Sequence, residues 1–281
     1  MVSQADINIP VRIISDIFAD RFFKSSGIFN QKYIIYMVSK NQIKLITALH
    51  QKKYRQANKM FFAEGVKVIH ELLQSNFELV HLYQTEVLFE GVPDESKTLI
   101  SEGDLKKISA LTTANNCLAL FKIPDPLPIQ QRGIILALDD IRDPGNLGTI
   151  LRLCDWFGIE QVVCSKETVD LYNPKVVQAT MGSLSRVNVN YADLHEFIKK
   201  CDLPVFGTFM DGKNIYNEDL PSNAIVIMGN EANGISESIE KLATSRISIP
   251  RFGKLQQTES LNVATATAIV LSEFCRNSNG K

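Results

Sequence analysis

From Ile134 onward the chain alternates short, unbroken apolar runs with longer stretches whose apolar residues recur every three or four positions. Ile134 to Leu138 is such a run, as a strand buried on both faces of a parallel sheet reads. Leu147 to Phe157 has helical spacing and ends at Gly158, a residue that stops helices because it enters the left-handed region without strain. Ile159 to Cys164, Val205 to Phe209, Ala224 to Met228 and Arg246 to Ile249 read as further strands. Asn173 followed by Pro174 reads as a helix start, a capping side chain and then a fixed φ. A last helix is predicted from Ser260 to Cys275. This alternation predicts an α/β domain, residues 131–281, with a mostly parallel sheet flanked by helices.

The pattern before it is different. Residues 40–123 predict a second, smaller α/β unit. A basic helix leads to the strand-like Lys59–Ala63, and Glu64-Gly65 makes the turn. Val66, Ile69, Leu72 and Leu73 then fall at helical spacing. Phe77–Tyr83 alternates like a strand, Asp104–Leu111 reads as a short helix, and Cys117–Phe121 as a closing strand. Prolines 124, 126 and 128 forbid helix and favour an extended spacer, which sets a linker at 124–130. Residues 1–39 are rich in Ile and Phe, hold no motif, and run into a second candidate start at Met37-Val38-Ser39-Lys40. They are read as an extension.

Composition narrows the classes. The chain of 281 residues is 45% hydrophobic and 22% charged, enough for a sizeable core, and no stretch reaches the length of a membrane span. Five scattered cysteines without a CxxC pair point to a reduced, cytoplasmic protein and away from a cysteine zinc site. The four histidines show no metal spacing, so no metal is expected. A net charge of −1 does not by itself suggest nucleic acid. Locally, however, Lys40, Lys44, Lys52, Lys53, Arg55 and Lys59 occur with no acid among them. That density suits phosphate neutralisation, and equally a solvated helix face. The sequence has no GxGxxG after the first strand of either domain, no GxxxxGK[ST] and no GxSxG. Rossmann dinucleotide binding, P-loop chemistry and nucleophile-elbow hydrolysis are therefore unsupported.

Ligands of open α/β sheets bind beyond the carboxyl ends of the strands, and three segments there are rich in polar and small residues. The first is Asp139 to Arg152, in which Asn146 is the expected helix cap. The second is Met228-Gly229-Asn230-Glu231-Ala232-Asn233-Gly234, with glycines suited to positive φ or close backbone approach. The third is Ile249-Pro250 followed by Thr258 to Ala264, in which Ser260 or Thr258 is the expected cap of the last helix. Each segment alone reads equally well as a turn.

Together and in this order, the three segments resemble motifs 1, 2 and 3 of the SpoU (TrmH) family of RNA 2′-O-ribose methyltransferases. Asn146-Leu147-Gly148-Thr149-Ile150 with Arg152, Gly229 to Gly234, and Ile249-Pro250 with Ser260-Leu261-Asn262-Val263-Ala264 carry the resemblance. Residues 42–123 are similar to that family's small substrate-binding domain, on Phe62-Ala63-Glu64-Gly65 and the closing strand. Two places depart from the pattern: Ala232 stands where Gly is usual, and Asn115-Asn116 where the family often has Pro and Gly.

The resemblance implies a catalytic domain with a deep trefoil knot, a homodimer formed through it, and S-adenosylmethionine as cofactor. It implies cofactor contacts from Thr208, Met228, Gly229, Ile249, Leu261 and Ala264. Arg152 is expected at the target hydroxyl and its phosphate, with Asn146, Glu231, Ser260 and Asn262 orienting it, the ribose and the loops. Lys52, Lys53, Arg55 and Lys59 would hold RNA together with Arg152. The separate N-terminal domain favours large-subunit ribosomal RNA. The alternatives are transfer RNA, methylation of a base nitrogen, or a non-catalytic assembly factor with the same fold.

Overall fold

The computed structural model describes residues 35–253 and 260–278. The chain divides into two compact units, one reaching Pro124 and including Tyr172–Pro174, the other made of Asp125–Leu171 and the residues from Lys175 onward. Most of the expected N-terminal extension lies outside the described residues. Its last part does not behave as an extension: Tyr36 bridges Ile100, and Val38 is buried in the first unit's core.

The basic segment forms two helices where one was expected. Ser39 opens α1 (Lys40–Ala48) with a reciprocal capping box: its hydroxyl accepts from the Gln42 N–H, and the Gln42 side chain accepts from the Ser39 N–H. Gln51 is extended (ψ 135°), so α2 (Lys52–Asn58) starts afresh. Arg55 holds the break together. It is 2% exposed, and its Nη1 donates to the carbonyls of Leu49 and His50 at 2.7 and 2.9 Å. These are orphan acceptors at the end of α1.

The chain continues through β1 (Met60–Glu64), α3 (Val66–Leu73), β2 (Leu79–Gln84), β3 (Lys97–Leu99), α4 (Glu102–Ile108) and β4 (Cys117–Lys122). The sheet order is β1-β4-β2-β3, with β4 antiparallel to both neighbours and β3 parallel to β2. β1 is buried on both faces, which explains its unbroken apolar sequence. Met60 and Phe62 join the cluster under α1 and α4, while Phe61 faces Phe77 and Phe121. β3 is only three residues long, too short for a periodic signal.

The second unit is a six-stranded, all-parallel sheet with order β10-β8-β9-β5-β6-β7. Its elements are β5 (Ile134–Leu138), α5 (Pro144–Phe157), β6 (Gln161–Cys164), α6 (Pro174–Thr180), β7 (Asn188–Tyr191), α7 (Leu194–Lys199), β8 (Val205–Asn214), β9 (Ala224–Met228), α8 (Glu237–Glu240), β10 (Ser245–Ser248) and α9 (Val263–Ser278). Ile135, Ala137, Ile225 and Ile227 turn toward Leu194, Ile198 and Ile239 of α7 and α8. On another face Phe206 meets Phe274 of α9 edge-on, with ring centroids 5.3 Å apart. Register aligns the carboxyl ends of the strands: Leu138 is opposite both Cys164 and Met228. No helix among the described residues is long and apolar enough to cross a membrane.

In the first unit, Glu64 ends β1 at 4% exposure and accepts from the Ser109 hydroxyl and the Ala110 N–H, tying down the loop after α4. Burial pushes its carboxyl above the ordinary value near 4.5, against those two hydrogen bonds. The folded state therefore holds its proton to higher pH than the unfolded state. The associated stability is complete below about pH 4.5 and declines as pH rises through the folded value. Comparing urea unfolding of wild type and Glu64→Gln across pH 4 to 7, we expect the wild type to lose stability relative to the variant as pH rises. A constant difference would contradict the assignment.

Candidate active site

A cleft of about 1290 Å³ opens beside the middle of β8 and the ends of β9 and β10. Its walls are Thr208, Phe209 and Met210 from the middle of β8, Met228 to Ile235 at and after the end of β9, Ile247 to Gly253 around the end of β10, and Ser260, Leu261, Val263, Ala266 and Val270 before and along α9. Five of the six residues expected to touch a cofactor take part: Thr208, Met228, Gly229, Ile249 and Leu261. Ala264 does not. It is buried, and its N–H is taken by the Asn262 side chain at 3.0 Å.

The loop after β9 is organised by its own backbone and by Asn230. Asn230 and Gly234 exchange two backbone hydrogen bonds, at 2.9 and 2.8 Å. Asn230 Oδ1 accepts from the N–H groups of Ala232 and Asn233, and its Nδ2 donates to the Asp140 carbonyl at 2.7 Å. Gly234 has the positive φ (69°) that this turn requires. Gly229 is needed for space instead, since a Cβ there would lie 2.3 Å from the Gly234 carbonyl carbon. Asp139 completes the frame: its carboxylate accepts from the Ser236 N–H at 2.7 Å, and its own N–H donates to the Met228 carbonyl. Asn230 and Asp139 were not singled out from sequence. Each is a polar residue immediately after or near an apolar strand, and that was the only signal.

Three expected residues form one hydrogen-bonded chain. Asn146 Nδ2 donates to Glu231 Oε1, and Asn146 Oδ1 accepts from Asn262 Nδ2 at 2.9 Å. Asn262 Oδ1 then accepts from the N–H groups of Ala264 and Thr265. The chemistry dictates the direction. A carboxylate only accepts, so Asn146 must present its amino group to Glu231 and its carbonyl to Asn262. Asn262 must answer with its amino group, which leaves its carbonyl for the helix.

This arrangement corrects two expected caps. α5 is capped by Asp143, whose side chain accepts from the Asn146 N–H at 2.8 Å, with Pro144 in the first turn. Asn146 sits inside the first turn and keeps its side chain for the relay. The cap of α9 is Asn262, so Ser260 is left at the cleft wall; Thr258 lies outside the described residues.

Arg152 is exposed on α5 and joins no hydrogen bond or ion pair among the described residues. Six residues after Asn146, it lies about 9 Å further along the axis. It shares the exposed stripe of Gly145, Thr149 and Trp156, the last 83% exposed. In the first unit Lys52, Lys53 and Lys59 are exposed, with Lys53 4.7 Å above the Tyr54 ring. Arg55 is a correction: burial against two carbonyls removes it from any phosphate-binding set.

The cleft suits a nucleoside-bearing cation. Met228, Ile249, Leu261 and Val270 offer apolar walls, while Glu231 and Glu240 bring negative charge and Arg251 a positive one. Gly229 and Gly234 keep side chains away from the loop. Removing the shared cap should register in stability. Asn262→Ala should lower it by about 1 kcal/mol in urea unfolding, and Asn262→Asp should recover part by restoring the cap without the donor to Asn146. An alanine variant as stable as wild type would contradict the relay.

The profile of the SpoU rRNA methylase family matches residues 133–272, and that of the MRM3-like substrate binding domain matches residues 40–119. The 23S rRNA (guanosine(2553)-2′-O)-methyltransferase RlmP of Bacillus subtilis is 29% identical over 243 residues, 83% of this chain and 96% of that protein. A solved structure from Porphyromonas gingivalis, assigned to the TrmH family of RNA methyltransferases, is 38% identical with a TM-score of 0.77, covering 86% of this chain and 99% of that one. An rRNA methyltransferase of Sinorhizobium meliloti, solved with S-adenosylmethionine bound, is 29% identical with a TM-score of 0.75, covering 87% and 97%. With two motif segments lining the cleft and the first joined to them through Asn146, this chain belongs to the SpoU (TrmH) family of RNA 2′-O-ribose methyltransferases.

Proposed function

We propose that this chain transfers a methyl group from S-adenosylmethionine to a ribose 2′-hydroxyl of large-subunit ribosomal RNA. The observation that carries the reading is the Glu231–Asn146–Asn262 chain, which joins three family motifs beside one apolar cleft. The names of the RlmP and Sinorhizobium relatives support ribosomal RNA as the substrate class. When bound, S-adenosylmethionine supplies an electrophilic methyl group whose leaving group is neutral, so the protein has no departing charge to stabilise.

What remains for the protein is alignment and management of the hydroxyl proton. Thr208, Met228, Gly229, Ile249 and Leu261 hold the cofactor in the cleft. Thr208 contributes through its backbone, because its hydroxyl already donates to the Ile227 carbonyl at 2.9 Å. Arg152 binds the phosphate beside the target ribose and polarises the hydroxyl. A guanidinium has donors and no acceptor, so this is a binding role, and the hydroxyl proton passes to solvent as the C–O bond forms. Glu231, Asn146 and Asn262 keep the loop after β9 and the starts of α5 and α9 in one arrangement, and Ser260 completes the wall.

Residues 40–123 are the substrate-binding domain, 124–130 the linker and 131–281 the catalytic domain in this reading; the substrate-binding profile supports the first. Lys40, Lys44, Lys52, Lys53 and Lys59 are exposed on one acid-free segment and neutralise RNA phosphates. The catalytic domain forms a homodimer and a deep trefoil knot. The exposed Thr149–Arg152–Trp156 stripe supports the dimer, and light scattering at a single chain's mass would overturn it. The strand order supports the knot. β10 lies outside β8, yet α9, the next helix in sequence among the described residues, packs on α5. A cytoplasmic location accords with five free cysteines.

The test is tritiated methyl transfer to total RNA from a strain lacking the gene, followed by identification of the labelled nucleoside. A labelled 2′-O-methylnucleoside in large-subunit ribosomal RNA is expected. Label in transfer RNA would overturn the substrate, and label on a base would overturn the chemistry. In the same assay Arg152→Ala should abolish transfer while cofactor affinity stays within about threefold of wild type; wild-type turnover would remove Arg152 from its role. Lys52→Glu combined with Lys53→Glu should weaken RNA binding in filter assays and flatten its salt dependence, with cofactor affinity unchanged. Unaltered RNA affinity would remove these lysines from the interface.

A further inference from the structure

Strand β8 is interrupted in the middle. Its first half pairs with β10 at Phe206–Ser245 and Gly207–Arg246, and its second half at Lys213–Ile247 and Asn214–Ser248. Two adjacent residues of β10 thus face residues six apart on β8, and Thr208 to Gly212 leave the ladder as an excursion. This excursion supplies Thr208, Phe209 and Met210 to the cleft wall. Its ends are pinned. Thr208 Oγ1 donates to the Ile227 carbonyl, and Ser248 Oγ donates to the Gly212 carbonyl at 2.8 Å. Gly212 permits the second junction, since a Cβ there would lie 2.4 Å from the Ile247 carbonyl carbon.

The middle is held by Arg246, which stands on β10 where the register jumps. Its guanidinium carbon lies 3.6 Å from the centre of the Phe209 ring. Nη2 donates to Asp211 Oδ1 at 2.5 Å, and Nη1 donates to Glu240 at the end of α8. No other side chain among the described residues hydrogen-bonds to residues 209–211. Phe209 is also folded back over Gly207, where a Cβ would meet its ring at 2.4 Å. Arg246 holds the Asp211 carboxyl below its ordinary range, as a close donor does. Glu240 itself lines the cleft.

We propose that Arg246 is a positioning residue for the cofactor: by bridging Asp211 and Glu240 and stacking on Phe209, it fixes the excursion that forms one wall of the cofactor cleft. It touches neither the reacting atoms nor the Glu231–Asn146–Asn262 relay. Its contribution is to cofactor affinity and not to the transfer step. A planar guanidinium can face a ring and serve two carboxylates at once, whereas a lysine ammonium cannot.

The inference rests on the methyltransferase reading, and its test separates the two. S-adenosylhomocysteine binding to the full chain is measured by calorimetry, alongside methyl-transfer kinetics and thermal unfolding. Without these contacts the excursion has to be ordered when the cofactor binds, and that ordering lowers affinity. Arg246→Ala should therefore weaken binding about tenfold and raise KM for S-adenosylmethionine, with kcat within about twofold of wild type. Arg246→Lys should fall between the two. If Arg246→Ala unfolds, Phe209→Leu and Asp211→Asn decide, each removing one contact and each expected to weaken binding. Wild-type protein that binds no S-adenosylhomocysteine would overturn the function, and the clamp with it. Wild-type binding with unchanged affinity in the variants would overturn the clamp alone, as would a loss confined to kcat.

Discussion

The direction of one hydrogen-bonded chain organises the catalytic unit. Glu231 accepts from Asn146, Asn146 accepts from Asn262, and Asn262 accepts from the first turn of α9. Each group has one orientation that satisfies both neighbours, because a carboxylate cannot donate and an amide has distinct ends. Three segments from well-separated parts of the chain are thereby locked into a single register. The same interactions that cap a helix also close the site, so stability and preorganisation share residues here.

Around that relay, backbone groups do most of the remaining work. The Asn230–Gly234 bridge, the Asn230 hold on Asp140 and the Asp139 hold on Ser236 fix the loop from inside. Side chains are thus left to line the cleft with apolar surface, two carboxylates and the Arg251 guanidinium. The excursion in β8 extends the same logic to another wall, with a guanidinium in place of backbone ties. A cleft walled by loops needs each loop pinned on its own, since no ladder runs through it.

The central strands were legible because burial on both faces leaves nothing but apolar residues in Ile134–Leu138 and Ala224–Met228. β3 and β7 were not, being three and four residues long with mixed burial. Leu194–Lys199 was too short to register as a helix. Asn146 was recognised as a site residue but misplaced as a cap, because Asp143-Pro144 offers the same chemistry three residues earlier. Arg55 looked like one more cation in a basic run, and only the break between α1 and α2 shows what it is for. Arg246 left no trace in the pattern, because its importance comes from the excursion in β8, the strand it pairs with.

A division of labour follows from how charge is distributed. In the proposed reading, the acid-free segment from Lys40 to Lys59 supplies attraction that weakens with salt. Among the described residues that line the catalytic cleft, Arg251 is the one cation. Arg152 is exposed and without an ion pair among the described residues, while Arg142 and Arg246 are committed to Asp140 and to Asp211 and Glu240. Committed arginines build the site, and an uncommitted one is available to a phosphate. In a chain whose net charge is −1, recognition of a polyanion then depends on which cations are left unpaired, and overall composition is silent on that.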